Sequence, residues 1–120
     1  MRMKITFIGA GNMASSLIHG LLQSGFSPDL IIAADPSPEQ LKKLEQTGIQ
    51  LYSDNSAAAK AADIVVLSVK PQNVKLVLRS LSLGESQLLL SIAAGVGLDT
   101  LEHQSNPNQA IIRSMPNTPA

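Results

Sequence analysis

The chain has 120 residues, 9 basic against 9 acidic side chains, no Cys, no Trp, one Tyr and two Phe, and 44% of it is apolar. Without cysteine a disulfide scaffold, a zinc knuckle and a thiol nucleophile are excluded, and a formal net charge of zero leaves no basic footprint for nucleic acid. The longest apolar stretches, such as Leu88 to Ala94 with Ser91 inside it, fall far short of the roughly 20 residues of a membrane span, so no membrane association is expected.

Met1-Arg2-Met3-Lys4-Ile5 runs straight into a strand-like segment with no separate apolar region ahead of it, so a cytoplasmic protein is expected. Ile5 to Ile8 is a short apolar strand ending in Gly9-Ala10-Gly11, after which Met13, Leu17, Ile18, Leu21 and Leu22 recur at helical spacing. Gly25 and Pro28 punctuate the end of that helix, and Leu30 to Ala34 reads as a second strand closed by Asp35-Pro36. Ser37 then fits an N-cap with Pro38 at the first helical position, and Leu41 and Leu44 supply a buried stripe up to a stop at Gly48. A third strand at Ile49 to Tyr52 leads to an Ala-rich helix over about Ser56 to Ala62, and Asp63 to Val69 is a fourth strand. Pro71-Gln72 opens a helix carrying Val74, Val77, Leu78 and Leu81, and Gln87 to Ala94 is a fifth strand. Gly97 to His103 reads as a short helix and Ala110 to Ser114 as a sixth strand. Repeated strand-helix units with apolar strands predict right-handed crossovers and a Rossmann-type doubly wound parallel α/β sheet of about six strands with helices on both faces. The core of such a sheet is aliphatic, as the composition requires. Residues 1–120 read as one such domain, and the chain leaves a core strand into a Pro-rich turn, where a C-terminal partner domain is expected to follow.

Gly9-Ala10-Gly11-Asn12-Met13-Ala14 fits G-x-G-x-x-A between a strand and a helix, the context that makes the pattern a dinucleotide fingerprint. Gly9 allows the tight turn, Gly11 lets the backbone approach a pyrophosphate, and Ala14 lets the helix sit close to the sheet. The turn amides and the helix dipole then hold phosphates. Asp35, at the end of the second strand, is placed to accept from the hydroxyls of an adenine ribose, which favours NAD. Against that, Pro36, Ser37 and the amides opening the next helix, with Lys42 or Lys43 near, offer a 2′-phosphate a place, and Asp35 also serves as a turn former before Pro36. The choice between NADH and NADPH stays open. Further loops leave the carboxyl ends of strands three to six at Asp54-Asn55, Val69-Lys70-Pro71, Ala93 to Gly97 and Met115 to Thr118. Lys70 is the only cation ending a central strand. His19 and His103 lack metal-ligand spacing, so no metal site is expected. No acid and base pair up within the chain, and its catalytic residues are expected outside it.

Taken together, Ile8 to Ala14, Ser68 to Gln72, Ser91 to Val96 and Arg113 to Ala120 resemble pyrroline-5-carboxylate reductases, and the resemblance spans the whole chain. It implies hydride transfer from NADPH or NADH to the imine carbon of 1-pyrroline-5-carboxylate, giving L-proline, the last step of proline biosynthesis. Carried over residue by residue, Gly9, Ala10, Gly11, Asn12, Met13 and Ala14 hold the pyrophosphate, and Asp35, Pro36, Ser37 and Asn55 surround the adenosine. Ser68, Val69, Lys70, Pro71, Ala93, Ala94 and Gly95 flank the nicotinamide ribose and ring, and Met115, Pro116, Asn117 and Thr118 form a floor near the substrate. Many members of that family prefer NADPH and carry Ser or Thr where this chain has Asp35. The family's second, all-helical domain, which forms a homo-oligomer and supplies most substrate contacts, is absent from these residues, so the isolated chain is expected to bind cofactor and turn over poorly. The competing readings are the nucleotide domain of another reductase, such as a beta-hydroxyacid dehydrogenase, and a non-enzymatic NAD(P)-sensing module. The Met115 to Ala120 loop argues against the first, and the specialised loops after strands four to six argue against the second.

Overall fold

A computed structural model describes residues 3–93, 97, 101 and 109–113. The apolar run Ile5–Ile8 forms β1, and the chain turns at Gly9 into α1, Asn12–Gln23. Ala14 and Ile18 of that helix are buried. Its end is fixed by a Schellman arrangement: Gly25, at φ +96°, donates to the Leu22 carbonyl (3.1 Å), and Phe26 donates to that of Leu21 (3.0 Å).

β2 (Ile31–Ala34), β3 (Gln50–Tyr52), β4 (Ile64–Leu67), β5 (Leu88–Ser91) and β6 (Ala110–Arg113) complete one sheet in the order β3-β2-β1-β4-β5-β6. Every pairing is parallel, with Ile8 level with Ala34 on one side and with Leu67 on the other. The doubly wound topology expected from the sequence is therefore present. The helices between the strands are α2 (Pro38–Lys42), α3 (Asn55–Lys60) and α4 (Val74–Ser80).

Successive strand residues point to opposite faces, and the core divides accordingly. Ile8, Ile32, Val65, Leu67 and Leu89 pack with Ala58 and Ala59 of α3 and with Val74 and Leu78 of α4. Phe7, Ile31, Ala33, Val66 and Ile92 pack with Ala14 and Ile18 of α1 and with Leu44. Both faces of the central strands are thus apolar, which is why those strands read as unbroken hydrophobic runs rather than alternating ones. The buried Thr6 hydroxyl donates to the Ala58 carbonyl (2.8 Å), and the Gln87 amide donates to the carbonyls of Ala59 (2.7 Å) and Ala62 (2.6 Å), closing the end of α3. On the α1 face, Ile5, Phe7, Ile64, Val66 and Leu90 floor an apolar groove of about 390 Å³ walled by Leu17 and Leu21. No described helix is long and apolar enough to cross a membrane.

Several boundaries differ from those the sequence predicts. Leu30 lies in a 3-10 turn, Pro28–Leu30, and not in β2. The helix expected up to Gly48 stops at Lys42 and continues as a 3-10 turn over Glu45–Thr47, because Leu44 and Thr47 donate to carbonyls three residues back. Ser37 occupies the N-cap position of α2, yet its hydroxyl makes no capping bond. Pro71 opens a 3-10 turn, Pro71–Asn73, ahead of α4. α3 begins at Asn55 because the Asp54 carboxylate caps it, accepting from the Ser56 N–H (3.1 Å). Of the helix expected over 97–103 the described residues include Gly97 and buried Leu101, whose N–H donates to the Gly97 carbonyl (3.3 Å).

Candidate functional site

All six strands run the same way, so their carboxyl ends share one edge of the sheet. The order in which strands are added reverses between β1, followed on one side by β2 and β3, and β4 on the other, the point where open α/β sheets bind ligands. A cleft of about 620 Å³ opens there.

The glycine turn is locked from beneath. Gly9 sits at φ +99° and donates to the Ala34 carbonyl (2.8 Å), and a Cβ placed on it would lie 2.9 Å from the backbone C and O of Ser68. The Ser68 hydroxyl shares its proton between the carbonyls of Ile8 (2.9 Å) and Gly9 (2.7 Å), while its N–H donates to Ile8 (2.9 Å). The loop after β4 therefore clamps the turn after β1.

From the other side the turn is held by Asp35. One carboxylate oxygen accepts from the Ala10 N–H (2.9 Å) and the other from the Ser37 N–H (2.9 Å). The Asp35 N–H itself donates to Tyr52 (3.1 Å), so β2, β3 and the glycine turn meet at this residue.

The start of α1 is open by contrast. Gly11 is its N-cap with extended backbone and no side chain to cap it, and no acidic residue lies in the first turn. Helix geometry leaves the first amides of α1 without intrahelical acceptors, beside the positive end of the helix dipole. Gly11 lines the cleft, and a Cβ there would meet nothing within 4 Å.

Of the sequence-predicted residues, Gly9, Gly11, Asp35, Pro36, Ser37, Asn55, Ser68, Val69 and Lys70 line this cleft together. Asn55 brings a buried side-chain oxygen with no hydrogen-bond partner. Ala10 and Ala14 are buried against the sheet, and Ala10 has its amide committed to Asp35. Asn12 is exposed, Met13 packs against the core, and Pro71 is exposed at the head of its 3-10 turn. Ala93 is buried in the α3–α4 layer. Ala94, Gly95 and Met115 to Thr118 lie outside the described residues, as does His103. Sequence reasoning missed Gln40 of α2 and Asn73, Leu76, Val77 and Ser80 around α4, which complete the lining. Leu76 carries the one available signal: a large aliphatic residue, 71% exposed, on a helix whose core stripe is already filled by Val74 and Leu78.

The cleft thus offers open amides at one helix start, a carboxylate beside them, an unpaired amide oxygen, an apolar wall and one lysine. Residues 4–95 match the family model described as NADP oxidoreductase coenzyme F420-dependent. The chain belongs to that family. Within this oxidoreductase family it is 46% identical over 120 residues to a pyrroline-5-carboxylate reductase of Pseudomonas aeruginosa, covering 98% of this chain and 44% of that protein. The solved structure of the Coxiella burnetii pyrroline-5-carboxylate reductase superposes with a TM-score of 0.92 at 37% identity, covering 99% of this chain and 46% of that one. A Plasmodium falciparum pyrroline carboxylate reductase, solved with NADP bound, superposes at 0.84 with 30% identity over 96% of this chain and 42% of that one. The resemblance drawn from the four loop strings therefore holds along the chain, which spans less than half the length of these relatives.

Proposed function

We propose that the chain is the nicotinamide-dinucleotide-binding part of a pyrroline-5-carboxylate reductase. The observation that carries this is the convergence of the glycine turn, Asp35, Asn55 and the Val69-Lys70 loop on one cleft at the topological switch point, in a chain 46% identical along its length to a reductase of that name.

The residues present fit such a cofactor. The unpaired Asn55 oxygen is a buried acceptor awaiting a donor, a costly arrangement unless a ligand supplies one. The uncapped start of α1 suits a pyrophosphate. In this reading the amides from Gly11 to Ala14 hold the phosphates. Asp35, Pro36, Ser37, Gln40 and Asn55 surround the adenosine, with Leu76 and Val77 as an apolar wall for a flat base. Val69, Lys70 and Pro71, with Ala93 to Gly95, border the nicotinamide riboside, and Met115 to Thr118 border the substrate. Ala10 and Ser68 act one step back, holding the turn rather than the ligand. The bound nucleotide supplies the hydride that reduces an imine carbon, so the protein's task is to orient the ring, exclude water and deliver one proton to the imine nitrogen.

No described acid and base are paired for that proton, and the relatives are more than twice the length of this chain. The same proposal therefore assigns the proton donor, the imino-acid contacts and homo-oligomer formation to a helical partner domain, and leaves the isolated chain binding cofactor with little turnover. The proposal keeps the cytoplasmic location expected from the sequence, with which two charged, water-soluble reactants are consistent. The test is an assay of the protein as its gene encodes it, following NADH and NADPH oxidation with 1-pyrroline-5-carboxylate. Oxidation that depends on the imino acid is expected, and none above the protein-free rate with either nucleotide would reject the proposal.

A further inference from the structure

We infer that Asp35 makes this chain select the nicotinamide nucleotide without a 2′-phosphate, NADH over NADPH. The inference rests on the proposal that the cleft holds a nicotinamide dinucleotide, and goes beyond it by naming which one and the residue that decides.

Three observations carry it. First, the Asp35 carboxylate is pinned on the cleft wall by two backbone amides, Ala10 on one oxygen and Ser37 on the other, so it cannot swing aside without breaking both bonds. Each oxygen keeps a second lone pair. That leaves an acceptor-only group facing the cleft, complementary to a diol that donates and repulsive to a phosphate that only accepts. Second, the Ser37 N–H just ahead of α2 is already taken by Asp35, and Pro38 at the first helical position has no N–H to give a phosphate. Third, the lining around Asp35 is Pro36, Ser37, Gln40 and Asn55, all neutral. Lys42 and Lys43, which the sequence offered as phosphate partners, are not among the lining residues, although the exposed Lys43 ammonium donates to one of them, Gln40 (3.0 Å). Lys70 lines the cleft from the loop after β4, on the opposite side of the switch point from β2.

The experiment is calorimetric titration of the 120-residue chain with NADH and with NADPH at matched ionic strength, for the wild type, Asp35→Asn and Asp35→Ser. Wild type is expected to bind NADH at least about tenfold more tightly, the scale of one like-charge contact partly screened by water. Asp35→Asn removes the charge at nearly constant shape, giving up one of the two amide bonds because its NH2 cannot accept, and should bring the ratio to within about threefold. Asp35→Ser, which also frees the Ser37 amide, should bring it to parity or reverse it. Equal or tighter NADPH binding by the wild type overturns the inference while leaving the proposed function intact, and so does an unchanged ratio in both variants. Failure of either nucleotide to bind at millimolar concentration overturns both. If neither variant folds, the wild-type ratio alone decides.

Discussion

Gly9→Ala and Gly25→Ala form a matched pair that separates steric contact from backbone strain. The two glycines have nearly the same φ, +99° and +96°. A side chain in that region costs about 1–2 kcal/mol, less about 0.4–1 kcal/mol regained because alanine restricts the unfolded chain, so Gly25→Ala should lose about 1 kcal/mol or less. At Gly25 a Cβ meets nothing within 4 Å. At Gly9 it would stand 2.9 Å from the Ser68 carbonyl carbon and oxygen and 3.0 Å from Val69 Cγ1. Those contacts are mostly backbone in a clamped loop and cannot rotate away, which adds about 1–3 kcal/mol of overpacking. Gly9→Ala should therefore cost about 2–4 kcal/mol, or roughly 10 °C in Tm for a domain of this size. It should also weaken nucleotide binding, since Ser68 and Val69 line the cleft. Urea unfolding of both variants with far-UV circular dichroism measures the difference. If Gly9→Ala costs no more than Gly25→Ala, the clamp between the glycine turn and the loop after β4 is not as described.

Thr6→Val removes a buried hydroxyl that donates to Ala58 and should cost about 1 kcal/mol of unfolding free energy with nucleotide affinity unchanged. Gln87→Ala deletes the two bonds that close the end of α3 and a third that its Oε1 accepts from the Gly84 N–H (2.8 Å), and about 1–3 kcal/mol should be lost in the same urea measurement. Asn55→Ala should separate the two properties the other way, because it removes a buried acceptor left without a partner: stability equal to wild type or up to about 1 kcal/mol higher, nucleotide affinity down about three- to tenfold by calorimetry.

Much of the fold was readable because parallel strands covered on both faces are continuous apolar runs, and Ile5–Ile8 followed by glycine is bounded by residues that cannot be mistaken. The same property blurred the other ends. The strand expected over Asp63 to Val69 pairs only at Ile64–Leu67, because Val69 carries the hydropathy past Ser68 and hydropathy does not record where backbone partners stop. The spacing of Leu41 and Leu44 suits either an α-helix or the tighter turns that follow Lys42, and only hydrogen bonding three residues back distinguishes them. In the site, the glycine fingerprint and Asp35 were legible from local context. The internal duties of Ala10 and Ser68 were not, because each bonds a residue 25 or more positions away. Asn73, Leu76, Val77 and Ser80 were missed for a related reason: they reach the cleft only through the packing of α4 against the sheet.

The most direct test of the central claim is an amide-resolved NMR titration of the ¹⁵N-labelled chain with NADH. Saturable shifts are predicted at Gly11 to Ala14, Asp35, Ser37, Asn55 and Val69-Lys70, with the groove around Leu17 and Leu21 undisturbed. No shifts up to millimolar nucleotide, or shifts centred on that groove, would contradict it.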